Sequence, residues 1–193
     1  MFIQTEATPN PATLKFLPGV VVLADGTADF RDAAAAGEES PLAGALFGIP
    51  GVSGVFFGYD FVTVSKQDDR DWQHLKPAIL GAIMEHFMAG RPVLNAASNA
   101  ADRGASDGEE FYDKADEDIV VTIKELLDTR VRPAVAQDGG DITFRGYENG
   151  TVFLNMKGAC AGCPSSTATL KHGIQNLLRH FVPEVQHVEQ VTV

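Results

Sequence analysis

The chain has 193 residues, of which 45% are hydrophobic, and a formal net charge of −11. That size and composition suit one large or two small globular domains with a real core. The acidic balance argues against nucleic acid or an anionic membrane as a general partner, and no apolar run is long enough to span a bilayer.

In chain order, residues 2–6 read as a short strand, broken by Thr8-Pro9-Asn10-Pro11. Residues 14–17 and 20–23 read as further extended pieces, and residues 41–47 as a short helix. Strands follow at 52–57 and 61–65, joined by a turn at Gly58-Tyr59-Asp60. Trp72, Leu75, Ile79, Ile83 and Phe87 then mark one face of a helix. Pro77 falls inside that pattern, where the helix starts or kinks. His74 and His86 lie on the same stretch and read as solvated or packing residues. Residues 1–90 thus form a first α+β domain. Residues 91–112 change character: the run from Asn95 to Gly108 is small, polar and aperiodic, which reads as a flexible linker.

Residues 113–193 form a second α+β domain. Ile119, Ile123, Leu126, Leu127 and Val131 line one helix face, with Asp116, Glu117 and Asp118 in its first turn and Pro133 near its end. Asp138-Gly139-Gly140-Asp141 turns the chain, and a glycine turn with local aspartate hydrogen bonds accounts for it. Residues 142–147 and 151–156 make a hairpin around Glu148-Asn149-Gly150. Leu170, Ile174, Leu177, Leu178 and Phe181 mark a second helix, and residues 185–193 a last strand. The fold class is α+β: two small α+β domains joined by a flexible linker.

The only two cysteines, Cys160 and Cys163, fall between that hairpin and that helix, in Gly158-Ala159-Cys160-Ala161-Gly162-Cys163-Pro164. Gly158 and Gly162 open backbone conformations closed to other residues, and Pro164 suits a first helical turn. A helix N-terminus lowers the cost of negative charge on sulfur. The pair reads as two thiolates held for a metal or for redox chemistry. A structural disulfide is a poor reading, because so short a loop removes little chain entropy. A thioredoxin-like dithiol wants the same strand-to-helix turn, but Ala159 precedes this pair and Pro164 follows it, where an aromatic before and a proline within are usual. An iron–sulfur or structural zinc site wants four ligands. One chain offers two thiolates and two chains offer four, which implies a symmetric dimer with the metal on its axis. His172, His180 and His187 follow without a recognisable ligand spacing. No nucleophile–base–orienter set stands out, so the chain does not read as an enzyme.

The stretch from Gly158 through Ser166, with Thr169-Leu170-Lys171 and Gly173-Ile174-Gln175 after it, resembles the Nfu (NifU C-terminal-like) iron–sulfur cluster scaffold and carrier proteins. So do Arg132-Pro133 through Ile142 and Val182-Pro183-Glu184-Val185. The segment from Met1 to Glu6, running into Thr8-Pro9-Asn10-Pro11, resembles the N-terminal domain of the mitochondrial-type members and their bacterial relatives. The resemblance covers both domains. It implies a [4Fe-4S] cluster bound through Cys160 and Cys163 of each of two subunits, received from cluster-donor assembly proteins and passed to apo iron–sulfur client proteins. Lys157 is the candidate for a charge that steadies such an anionic cluster, since no acid lies between Glu148 and Glu184. Free cysteines without a secretory signal fit a reducing cytoplasm, and a resemblance that starts at Met1 leaves no room for a transit peptide. The expected location is therefore cytoplasmic.

Overall fold

A computed structural model describes residues 1–96 and 108–191. The chain divides into two compact units, Met1–Gly104 and Ala105–Val193. Both are α+β.

The first unit is a five-stranded antiparallel sheet with helices on one face. Its strands are β1 (Gln4–Ala7), β2 (Thr13–Leu17), β3 (Ala28–Phe30), β4 (Val52–Phe57) and β5 (Val62–Lys66), in the order β1-β2-β5-β4-β3. The helices are α1 (Ala33–Glu39), α2 (Pro41–Phe47) and α3 (Trp72–Met88). Alternation along the strands sends Phe16, Val55, Phe57, Val62 and Val64 to the core, where they meet Leu42 and Leu46 of α2 and Ile79 and Ile83 of α3. Helix α3 begins at Trp72, capped by the Asp71 carboxylate, and runs unbroken through Pro77.

Three parts of this unit differ from the sequence reading; the first is β3 (Ala28–Phe30), which that reading left out. Residues 20–23 are not a strand; the Val22 and Leu23 amides both donate to the Tyr59 carbonyl, at 2.7 and 3.2 Å, which pins the segment as a loop. Helix α1 has no apolar period to announce it. It rests on alanine propensity and on Asp32, whose carboxylate accepts from the Ala35 amide at 2.9 Å. His86 lies buried against the Phe87 ring, so of its two expected roles it takes packing.

The second unit packs a broken helix and a crossover helix against a three-stranded sheet. A 3₁₀ turn (Lys114–Asp116) leads into α4 (Glu117–Leu126), a π turn (Leu127–Val131) and α5 (Arg132–Gln137). The helix thus continues past Pro133. The ring of Pro133 would collide with an α-helical carbonyl four residues back, and the wider π turn just before it removes that conflict. Strands β6 (Gly140–Glu148) and β7 (Thr151–Gly158) form the expected hairpin, closed by Asn149 and Gly150, both at positive φ. Helix α6 (Pro164–Phe181) then returns the chain to β8 (His187–Gln190), parallel to β7. Ile123, Leu127, Ile142, Leu154, Met156 and Leu178 fill the core.

Both ends of the stretch read as a linker pack on a unit. The Val93 carbonyl accepts from Ser40 Oγ at 2.6 Å, and Asn95 donates to the Glu38 and Glu39 carbonyls. Phe111 bridges to Gly146 of β6. The remainder of that stretch, residues 97–107, lies outside the described residues.

Candidate metal centre

Strand β7 ends at Gly158, at φ 63°, and the chain folds back at once, with the Ala161 amide donating to the Gly158 carbonyl at 3.1 Å. Gly162, at φ 87°, reverses it again into α6. Cys163 stands at the N-cap of α6 and Pro164 at its first position. The Thr167 amide donates to the Cys163 carbonyl at 2.9 Å, and Thr167 Oγ1 donates to the Cys160 carbonyl at 3.1 Å. One helical turn thus holds the backbone of both cysteines.

The two thiols have opposite surroundings. Cys163 is partly exposed. Its sulfur lies 3.4 Å from Ser165 Oγ. Hydrogen bonds from Ser165, then from Ser166 and the adjoining amides, bring its pKa down to about 7. Cys160 is buried and belongs to the core of the unit. Burial first, then the nearby Asp138 and Asp141, push its pKa up to about 12.

The Asp138–Asp141 turn belongs to this site, which the sequence reading missed. The Gly139 carbonyl accepts from the Ala159 amide at 3.2 Å. Gly140 lies so close beneath the cysteine turn that a Cβ there would sit 2.5 Å from Cys160 Sγ and 2.7 Å from the Lys157 carbonyl oxygen. Asp141 is buried and accepts two hydrogen bonds from Arg132, Nε to Oδ1 at 2.9 Å and Nη2 to Oδ2 at 3.0 Å. Its Oδ1 also accepts from the Ile142 amide at 2.8 Å. Arg132 is the first residue after the π turn and also donates to Asp128. A π turn takes in an extra residue and re-aims the side chains beyond it. The available signal was Gly-Gly at the mouth of a strand, together with one arginine just before a proline.

The stretch free of acids in sequence is therefore not free of them in space, because the hairpin brings Asp138 and Asp141 back to Cys160. Lys171 is engaged by Glu189 at 2.9 Å. His172, His180 and His187 are exposed. Among the described residues, no group of three or more histidine, cysteine or acidic side chains is gathered to hold a metal ion.

What the fold and the turn define is a two-unit α+β protein presenting paired thiols at a helix N-terminus. Residues 3–90 match the model of the scaffold protein Nfu/NifU N-terminal domain, and residues 123–189 match the NifU-like domain. The chain is 53% identical over 192 residues, 99% of its length, to the mitochondrial NFU1 iron–sulfur cluster scaffold homolog of Drosophila sechellia. It is 52% identical over the same length to the homolog of the same name from Drosophila willistoni. It spans 65% and 64% of the length of these two relatives. Among solved structures, a solution structure of a NifU-like protein from Saccharomyces cerevisiae aligns with 50% of this chain and 86% of its own, at 26% identity and a TM-score of 0.45. The chain belongs to the Nfu/NifU family.

These relatives also correct one expectation. They are named mitochondrial, which points away from the cytoplasmic placement. The physical argument behind that placement was too coarse, since free thiols exclude only oxidising compartments.

Proposed function

We propose that this protein is an iron–sulfur cluster scaffold and carrier that holds a [4Fe-4S] cluster through Cys160 and Cys163 of two subunits. The observation that carries the reading is the unequal thiol pair on one glycine-flanked turn, in a chain whose relatives are named iron–sulfur cluster scaffolds.

The residues suit a soft, thiophilic cargo. Cys163, partly exposed and ionised near neutral pH, engages iron first. Cys160 follows and gives up its proton to the solution, because a coordinating thiol is deprotonated outright. The same asymmetry aids release. An incoming client thiolate displaces the outer sulfur first, and reprotonation of buried Cys160 then favours the empty form. The cluster passes from assembly donors to apo client proteins by ligand exchange, and neither subunit need unfold.

Anaerobic reconstitution with iron and sulfide tests the proposal. The expected product is brown, with iron and sulfide bound in equal amounts, and both are lost in Cys160→Ser and in Cys163→Ser. A protein that stays colourless overturns the reading. In that case the same thiol pair would serve dithiol exchange or zinc.

A further inference from the structure

The edge of the second sheet carries a feature that the cysteine site does not use. Strand β6 is an edge strand of the order β6-β7-β8, and an edge presents a row of backbone groups for pairing. Phe111 occupies part of that row. The Phe111 amide donates to the Arg145 carbonyl at 3.2 Å, and the Tyr147 amide donates to the Phe111 carbonyl at 2.9 Å, a parallel bridge opposite Gly146.

The seat is built for an aromatic ring. A Cβ on Gly146 would lie 2.4–2.6 Å from three ring atoms of Phe111, so the missing side chain is the space the ring fills. The ring also packs on Phe153, with centroids 5.1 Å apart. Two cations flank the seat. The Arg145 guanidinium donates to the Glu109 carbonyl, and Lys124 pairs with the Glu110 carboxylate. A glycine in mid-strand weakens a sheet and commonly marks a bulge or the close approach of another backbone. This one sits at a shift in the β6–β7 register between Phe144 and Gly146.

We propose that the β6 edge at Gly146 is a docking seat for an extended segment of a partner protein carrying an acidic residue followed by an aromatic one, which the chain's own Glu110-Phe111 occupies in its absence. Recognition is by strand addition: the Arg145 carbonyl and Tyr147 amide supply the main-chain bonds, Gly146 the ring pocket and Lys124 the charge selectivity. The internal segment acts as a tethered competitor that a partner must displace.

The test uses the full chain and a capped peptide Gly-Glu-Glu-Phe-Tyr as probe, followed through the Arg145 and Tyr147 amide resonances. Phe111→Ala empties the ring pocket, which loosens the tethered segment's hold on the edge, and leaves the residues of β6 unaltered. It should bind the peptide about tenfold or more tightly than the unaltered protein, where the tethered segment competes. The same peptide with alanine in place of phenylalanine should lose binding, and this control leaves the protein untouched. Raised salt should weaken binding through the Lys124 contact. If a natively folded Phe111→Ala protein ignores the peptide at millimolar concentration, the segment only shields an edge and the proposal fails. Equal binding of the phenylalanine and alanine peptides overturns it as well, because the ring would then not be read.

Discussion

At the scale of single residues, the two cysteines differ more than their shared motif suggests. The motif itself was legible in sequence. The difference was not, because it comes from a serine pair on one side and from burial beside two aspartates on the other. Alkylation of the metal-free protein should therefore label Cys163 first, with a rate that rises through a midpoint near pH 7, while Cys160 stays unlabelled until far higher pH. Peptide mass spectrometry against pH reads both, and equal labelling would contradict the structure. The linkage signs are opposite. Cys163 ionises more readily folded than unfolded, so its contribution is present at alkaline pH and fades as pH falls from 9 through 7. Cys160 holds its proton more tightly folded, so the metal-free protein loses stability as pH rises from 9 towards 12. Cys160→Ala should flatten that alkaline loss. Gly140→Ala presses a methyl against Cys160 Sγ and the Lys157 carbonyl, and should cost roughly 1–3 kcal/mol, read as a lowered Tm of the second unit.

At the scale of elements, periodicity announced what was amphipathic and missed what was not. The hairpin, α3 and α6 each showed a clean apolar repeat, with an Asn-Gly turn in the hairpin and Pro164 opening α6. Helix α1 is alanine-rich and has a single buried residue, Ala36, so no repeat marked it. The π turn is equally silent, since nothing in Leu127–Val131 distinguishes it until Pro133 is seen to lie inside the helix. Ser40 shows how one residue ties such elements together. It ends α1, caps α2 by accepting from the Ala43 amide at 3.0 Å, and donates to the Val93 carbonyl. It is fully buried. Ser40→Ala removes the cap and orphans two backbone groups, and should destabilise the first unit by about 1–3 kcal/mol. Thermal unfolding should show that transition moving while the second unit's stays in place; movement of both would mean the units unfold as one.

At the scale of the whole molecule, the proposed cluster ties assembly to ligand count. Each chain offers two cysteine sulfurs, and among the described residues no third histidine, cysteine or acidic ligand stands with them to hold a metal. In the proposed [4Fe-4S] cluster four irons each want a ligand, and two chains meeting at their cysteine turns would complete the set. Loading should convert monomer to dimer with about one cluster per two chains, and removing iron with a chelator should reverse it. The process should also be linked to protons. Above about pH 7, Cys163 is already ionised and Cys160 is not, so each chain releases about one proton on loading. Cluster retention should then strengthen as pH rises from 7 to 9, and weaken more steeply below 7, where Cys163 must also lose its proton. Sedimentation of loaded and metal-free protein across that range, with iron and sulfide measured on each fraction, reads both effects at once. A cluster-bearing monomer would overturn the shared site. A dimer whose cluster content ignores pH would leave the shared site standing and remove the role assigned to the buried thiol.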